Sequence, residues 1–159
     1  METKPKAKQR PKSSPKKTAT YELRIVKVGR VCEASEVCIK HPEGVLPLLD
    51  TIRNHVQEHF VCFTLDGAGH ILNTRVITIG LLNHSLVHPR EVFVGAITDH
   101  AASVIVAHNH PSGSLDVSSQ DIAITTQLKE AGGIIGIQLL DHVIVTSTGH
   151  LSMREMGMV

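Results

Sequence analysis

The chain has 159 residues, of which 42% are hydrophobic, and this fits one globular domain with a short tail. No apolar run approaches the roughly 18–20 residues that a membrane span needs, so no membrane partner is expected. Three cysteines without a Cys-x-x-Cys pair indicate neither a disulfide scaffold nor a four-thiolate zinc site, which favours a reducing, cytoplasmic compartment.

Charge is distributed unevenly along the chain. Residues 1–17 hold seven lysines and arginines against one glutamate, a net charge of +6, so the other 142 residues carry −5. The stretch 1–20 also has three prolines and almost no apolar residues, a composition that cannot offset the entropy lost on ordering. We therefore expect a disordered basic tail at 1–20, able to contact nucleic acid non-specifically through 1–17, and a folded domain at 21–159.

Hydrophobic periodicity predicts an alternation of strands and helices. In chain order the predicted elements are a strand at 21–28, a helix at 45–56, a hairpin at 59–66 and 70–80, a helix from 88 to about 101, a buried strand at 103–108, a helix from 118 to the glycine pair 132–133, strand segments at 134–140 and 142–147, and a last strand within 151–159. This order predicts an α/β fold with a mixed central sheet flanked by helices.

The segment around the buried strand carries the residues best suited to chemistry. His108 and His110 are two positions apart where the strand ends, so both imidazoles can point to the same side. Asn109 should face the other way, and Asp121 follows at the start of a helix. Two imidazoles and one carboxylate leave one tetrahedral position open, which is how proteins hold catalytic zinc.

Simpler explanations exist for the same residues. Ser118 and Asp121 have the spacing of a helix capping box, and two histidines at a strand end can be solvated loop residues. The two interpretations of Asp121 are compatible, because a cap would hold its carboxylate rigidly. A zinc-dependent nucleobase deaminase is not indicated, because the combination of H-x-E with a following P-C-x-x-C motif is absent.

The pattern H-x-H-x7-S-x-x-D, formed by His108, His110, Ser118 and Asp121, resembles the JAMM motif of MPN-type zinc metallopeptidases. The fuller string His-Asn-His-Pro-Ser-Gly is similar to the RadC branch of that group, and the resemblance extends over about 21–159. It implies an MPN/JAMM-like fold with cytidine-deaminase-like architecture. It also implies a hydrolase that cleaves peptide or isopeptide bonds in a protein or peptide substrate, with one zinc ion per chain.

The resemblance assigns a role to each matching residue. His108, His110 and Asp121 would be the zinc ligands, and the Ser118 hydroxyl would stabilise the developing oxyanion. The family also uses a glutamate from an earlier helix-to-strand junction to activate water, and Glu58 is at such a junction. Glu91 is the alternative, although an acid in the first turn of a helix also favours the helix dipole.

Two questions stay open at this stage. Asp141 and His142 could orient a metal ligand or form a turn between two strands, and we favour the turn. The alternative function is a DNA-repair accessory protein that contacts nucleic acid through its basic tail and needs no peptidase activity. Only Tyr21 and three phenylalanines are aromatic, which is a poor surface for stacking bases.

Overall fold

The computed structural model describes residues 37–80 and 87–159. The predicted basic tail, the predicted strand at 21–28 and residues 81–86 lie outside the described residues. A short 3-10 turn, Pro42–Val45, leads into the first helix. The elements are α1 (Leu46–Arg53), β1 (Glu58–Leu65), β2 (Ile71–Gly80), α2 (Pro89–Thr98), β3 (Ser103–Asn109), α3 (Ser119–Ile135), β4 (Gln138–Val145) and β5 (His150–Ser152).

The strands form one mixed sheet in the order β2-β1-β3-β4-β5. β1 pairs antiparallel with β2 and β3, β3 pairs parallel with β4, and β5 pairs antiparallel with β4. A parallel pair needs a crossover connection, and α3 provides it between β3 and β4. The predicted α/β class is therefore confirmed. Within the described residues, no helix has the length and apolar character needed to cross a membrane.

The central strand β3 separates two apolar cores. All seven of its residues are buried, and the four at 104–107 are apolar, so both faces of the strand pack in apolar cores. Ile105 packs in the core that includes α1, whereas Val104 packs in the core that includes α2 and α3. Because side chains alternate along a strand, this pattern places His108 on the α2–α3 face and Asn109 on the α1 face.

The C-terminal half differs from the sequence prediction in its element boundaries. The third helix does not end at 132–133 but continues to Ile135, so the two predicted strand segments after it are a single strand, β4. Gly136 ends the helix with a φ of 76°, in the left-handed region that glycine adopts without strain. An apolar run of this length does not distinguish a helix end from a buried strand, which explains the error.

Other expectations also need correction. Asp141 and His142 do not form a turn, because both are fully buried inside β4. α1 ends at Arg53, which leaves Val56 outside the helix and 82% exposed, and α2 ends at Thr98. The last strand has only three residues, because the chain turns after Ser152.

The glycine pair inside α3 offers a stability test. A Cβ on Gly132 would overlap the carbonyl oxygen of Ile137 and lie 3.2 Å from the Phe93 ring, whereas a Cβ on the exposed Gly133 meets nothing within 4 Å. We expect Gly132→Ala to lower the free energy of unfolding by about 1–3 kcal/mol through overpacking. Gly133→Ala should raise it by about 0.5–1 kcal/mol through helix propensity. Urea denaturation measures both, and equal effects would contradict this packing of α3.

Candidate metal centre

Two histidine side chains lie together at the C-terminal end of the central strand. His108 is fully buried, and His110 follows the strand with its side chain mostly buried. Their Nε2 atoms are 2.9 Å apart. The strand alternation expected from the sequence therefore brings both imidazoles to one point on the α2–α3 face.

The third member of the cluster, Asp121, is held in place by the start of α3. Ser118 caps the helix, its Oγ accepting the Asp121 N–H at 3.1 Å, while the Ser118 N–H donates to Asp121 Oδ2 at 2.8 Å. The carboxylate also faces the histidines, with Oδ1 3.2 Å from His108 Nε2 and Oδ2 3.6 Å from His110 Nε2. The capping box and the histidine contact are thus properties of one fixed side chain.

The hydrogen bonds around His110 determine which nitrogen carries its proton. Its Nδ1 lies 2.8 Å from the carbonyl oxygen of Ser114, and a carbonyl can only accept. Nδ1 must therefore hold a hydrogen when the ring is neutral. This leaves a lone pair on Nε2, directed at His108 and Asp121.

A buried chain of hydrogen bonds through α3 and β4, called the relay below, likewise places the hydrogen of a neutral His108 ring on Nδ1. Thr125 Oγ1 lies 2.6 Å from the carbonyl oxygen of Asp121, to which its hydroxyl donates, so it accepts from His142 Nδ1 at 2.7 Å. His142 Nε2 then accepts the Nδ1–H of His108 at 2.8 Å. The lone pair of His108 is left on Nε2. Burial holds the pKa of His142 well below its usual value, which keeps its ring neutral and able to donate on one side and accept on the other.

The cluster therefore needs a cation. Two imidazole lone pairs and a carboxylate, all within 4.8 Å of one another, would repel each other without one. A proton can take this place: the neighbouring Asp121 carboxylate raises the pKa of His110 above its usual value, although burial acts in the opposite direction. Burial also opposes ionisation of Asp121, but the neighbouring histidines outweigh it and hold the Asp121 pKa far below its usual value. The donor set equally fits a divalent metal ion bound by nitrogen and oxygen.

Comparison with known proteins agrees with this geometry. A family model described as RadC-like JAB domain matches residues 39–158. The chain belongs to the RadC-like JAB domain family.

Curated relatives carry the name UPF0758 protein. The one from Methanospirillum hungatei is 50% identical over 141 residues, covering 87% of this chain and 62% of the relative. The one from Rubrobacter xylanophilus is 51% identical over 122 residues, covering 76% of this chain and 53% of the relative. This RadC-like chain thus spans little more than half to three-fifths of the length of these relatives.

Glu58 is positioned on the same face of the RadC-like sheet as the cluster. It is the first residue of β1 and half-buried, and Phe60, two residues later, pairs with His108 across the antiparallel β1–β3 ladder. The Phe60 ring stacks on the His108 imidazole, with centroids 6.0 Å apart. Side chains two residues apart in a strand share a face, so Glu58 leaves β1 on the same side as Phe60. The negative charge of Glu58 accordingly adds to the effect of Asp121 in raising the pKa of His110.

The remaining candidates lie in different surroundings. Ser118 is exposed at the helix start, and because its Oγ accepts the Asp121 N–H, its own proton is available to donate. Glu91 is exposed in the first turn of α2, where its Oε1 binds Arg90 Nε at 3.0 Å. The negative charge of Glu58 therefore acts on the histidine cluster, whereas Glu91 is bound to Arg90 at the exposed start of α2.

Sequence reasoning missed part of the site. It left His142 open and did not single out Thr125, although both support His108. One signal was present: Asp141 and His142 interrupt a run of apolar residues, and a buried polar side chain must find a hydrogen-bond partner. The neighbouring Asp141 binds the end of β5 and the segment that follows it instead: its carboxylate accepts from Ser152 Oγ at 2.6 Å and from the Arg154 N–H at 2.9 Å.

Proposed function

We propose that this RadC-like domain is a zinc-dependent hydrolase of peptide or isopeptide bonds. The observation that carries the proposal is the convergence of the lone pairs of His108 and His110 with the Asp121 carboxylate at the end of a buried strand. These three residues would hold the zinc ion, and three protein ligands is the number that catalytic zinc sites have. Membership of the JAB domain family supports the assignment.

The protein side chains have distinct tasks in this proposal. Zinc, when bound, supplies Lewis acidity and lowers the pKa of water to about 7. Glu58, whose negative charge acts on His110, accepts the proton of the attacking water and passes it to the leaving amine. The Ser118 hydroxyl donates a hydrogen bond to the developing oxyanion.

A search for cleavage products tests the proposal directly. The purified protein would be incubated with a proteome-derived peptide mixture and with lysine-branched peptides, and mass spectrometry would detect new amino termini and released lysine side chains. We expect products from the zinc-loaded protein and none after chelation. Zinc-loaded protein that cleaves neither kind of peptide would contradict the hydrolase assignment for these substrate classes.

The relay behind His108 leads to a prediction about the affinity of the site for zinc. Thr125→Val keeps the size of the side chain but removes the oxygen that accepts from His142 Nδ1, so the tautomer of His108 is no longer fixed. Loss of such a supporting hydrogen bond typically weakens metal binding by about 10–100-fold. A competition titration against a chromophoric chelator measures the dissociation constant.

Thr126→Val is the matched control for this prediction. Thr126 Oγ1 donates to the carbonyl oxygen of Ile122, four residues earlier, at 2.9 Å, and Thr125 makes the equivalent bond to Asp121. Thr126 is exposed, however, and its hydroxyl forms no hydrogen bond with a histidine. We expect wild-type zinc affinity in this variant. Equal affinity of the Thr125 and Thr126 variants would show that the relay does not support the metal centre.

A further inference from the structure

Asn109 lies between the two candidate histidine ligands in sequence but makes its contacts on the opposite face of the sheet. It is fully buried, and its Oδ1 accepts the backbone N–H of His59 at 2.7 Å. Its Nδ2 donates to the backbone carbonyls of His55 at 3.2 Å and Gln57 at 3.1 Å. Both ends of the amide are therefore bonded to one segment that lies 50 to 54 residues earlier in the chain.

That segment, residues 54–59, connects α1 to β1 and carries Glu58. Residues 54–57 lie outside the helices and strands, and all four are exposed. Glu58 and His59 pair with β2, on the side of β1 away from the central strand. The other side-chain bonds of the segment are local, such as His55 Nδ1 to His59 Nε2 at 3.0 Å and His59 Nδ1 to the Gln57 carbonyl at 3.0 Å. Asn109 is thus a tie between this connection and the central strand.

The positions of the three bonds are informative. The Gln57 carbonyl and the His59 N–H belong to the two peptide planes that flank the Cα of Glu58. Fixing both planes fixes φ and ψ of Glu58, and therefore the direction in which its side chain leaves the backbone. No other type of side chain of this length offers one acceptor and two donors in a plane.

We infer that Asn109 is a positioning residue for Glu58. One strand end presents the two histidines on one face and, through Asn109, fixes the backbone that carries the carboxylate relative to them. The inference rests on the proposed role of Glu58 in the hydrolase. A catalytic group misplaced by about 1 Å can lower the reaction rate about 10²-fold. Anchoring Glu58 to the strand end that carries the candidate ligands would prevent such a misplacement.

The experiment uses the cobalt-loaded protein, whose visible absorption depends on the charge beside the metal. Absorption would be recorded against pH for the wild type, Glu58→Gln, Asn109→Ala, and the double variant. Removing the carboxylate should lower the midpoint of the pH transition, because a nearby negative charge disfavours loss of a proton at the metal. We expect Asn109→Ala to lower the midpoint in the same direction, and to have no further effect when Glu58 is already replaced.

Two further variants keep the test independent of overall stability. Asn109→Ser retains a polar group and adds no charge, but its side chain is too short to reach the three backbone partners. If the alanine variant folds poorly, the serine variant should still show the lowered midpoint. Thr64→Val removes a hydrogen bond of 2.7 Å to Asp99 towards the other end of β1. This control should retain the wild-type midpoint. Amide hydrogen exchange at His59 in the metal-free protein should accelerate in the Asn109 variants and not in the control.

Each alternative outcome is decisive. If Glu58→Gln moves the midpoint and neither Asn109 variant does, the inference about Asn109 is overturned while the hydrolase proposal stands. If Asn109→Ala moves the midpoint further in the Glu58→Gln background, Asn109 acts through the histidines and the inference is again overturned. If Glu58→Gln leaves the midpoint unchanged, the proposed role of Glu58 fails, and the inference that rests on it fails too.

Discussion

Replacement of both His108 and His110 by alanine is expected to abolish zinc binding. The wild-type domain should bind about one zinc ion per chain, and the double variant should bind none, because Asp121 alone cannot hold the ion. Elemental analysis of the purified proteins gives the stoichiometry directly. The control is His150→Ala, which removes an exposed histidine from β5, outside the cluster. It should retain full zinc content.

The fold should survive the loss of metal. The described residues have their own apolar cores on both sides of the sheet, unlike a zinc finger, which is unfolded without its ion. Chelation of the wild type should therefore leave its circular dichroism spectrum largely unchanged. Full zinc content in the double variant would disprove the site, and unfolding on chelation would make the metal structural and weaken the hydrolase proposal.

Replacement of Glu58 by glutamine is expected to retain the metal and lose the chemistry. Glutamine keeps the size and hydrogen-bonding capacity of the side chain but cannot accept the proton from water. General acid–base catalysis contributes about 10²–10⁴-fold, so the hydrolysis rate on any substrate found should fall by about that factor. Zinc content should remain that of the wild type, since Glu58 is not proposed as a ligand.

Glu91→Gln provides the comparison for Glu58. Glu91 contacts Arg90 on the exposed side of α2, so its replacement should change the free energy of unfolding by about 0.3–1 kcal/mol through the helix dipole and leave hydrolysis intact. The reverse pattern, with Glu91 essential and Glu58 dispensable, would overturn the assignment of the base. If neither glutamate affects a measurable activity, the proposed activation of water is wrong.

The sequence by itself determined the α/β class and the residues that form the histidine–aspartate cluster. Both depend on local patterns. Alternation along a strand places His108 and His110 on one side, and the capping spacing of Ser118 and Asp121 fixes the carboxylate at a helix start. Because the helix follows the strand directly in the chain, no knowledge of distant contacts was needed to predict that these side chains meet.

Local patterns were insufficient where an apolar run could belong to either element type. Ile134 and Ile135 fit a strand as well as a helix end, and only the packing of α3 and the left-handed Gly136 decide between them. The same ambiguity explains why Asp141 and His142 were placed in a turn. Two polar residues between apolar runs look like a loop unless their buried partners are known.

The supporting residues were decided by the tertiary structure alone. His142 reaches His108 because β4 lies parallel beside β3, and Thr125 reaches His142 because α3 packs over that pair of strands. Asn109 ties down the Glu58 segment because β1 pairs with β3 in a particular register. Sequence periodicity specifies which face a side chain occupies, but not which strand or helix lies next to that face. Long-range register and helix packing provide that second piece of information, and the hydrogen-bond network around the cluster depends on it.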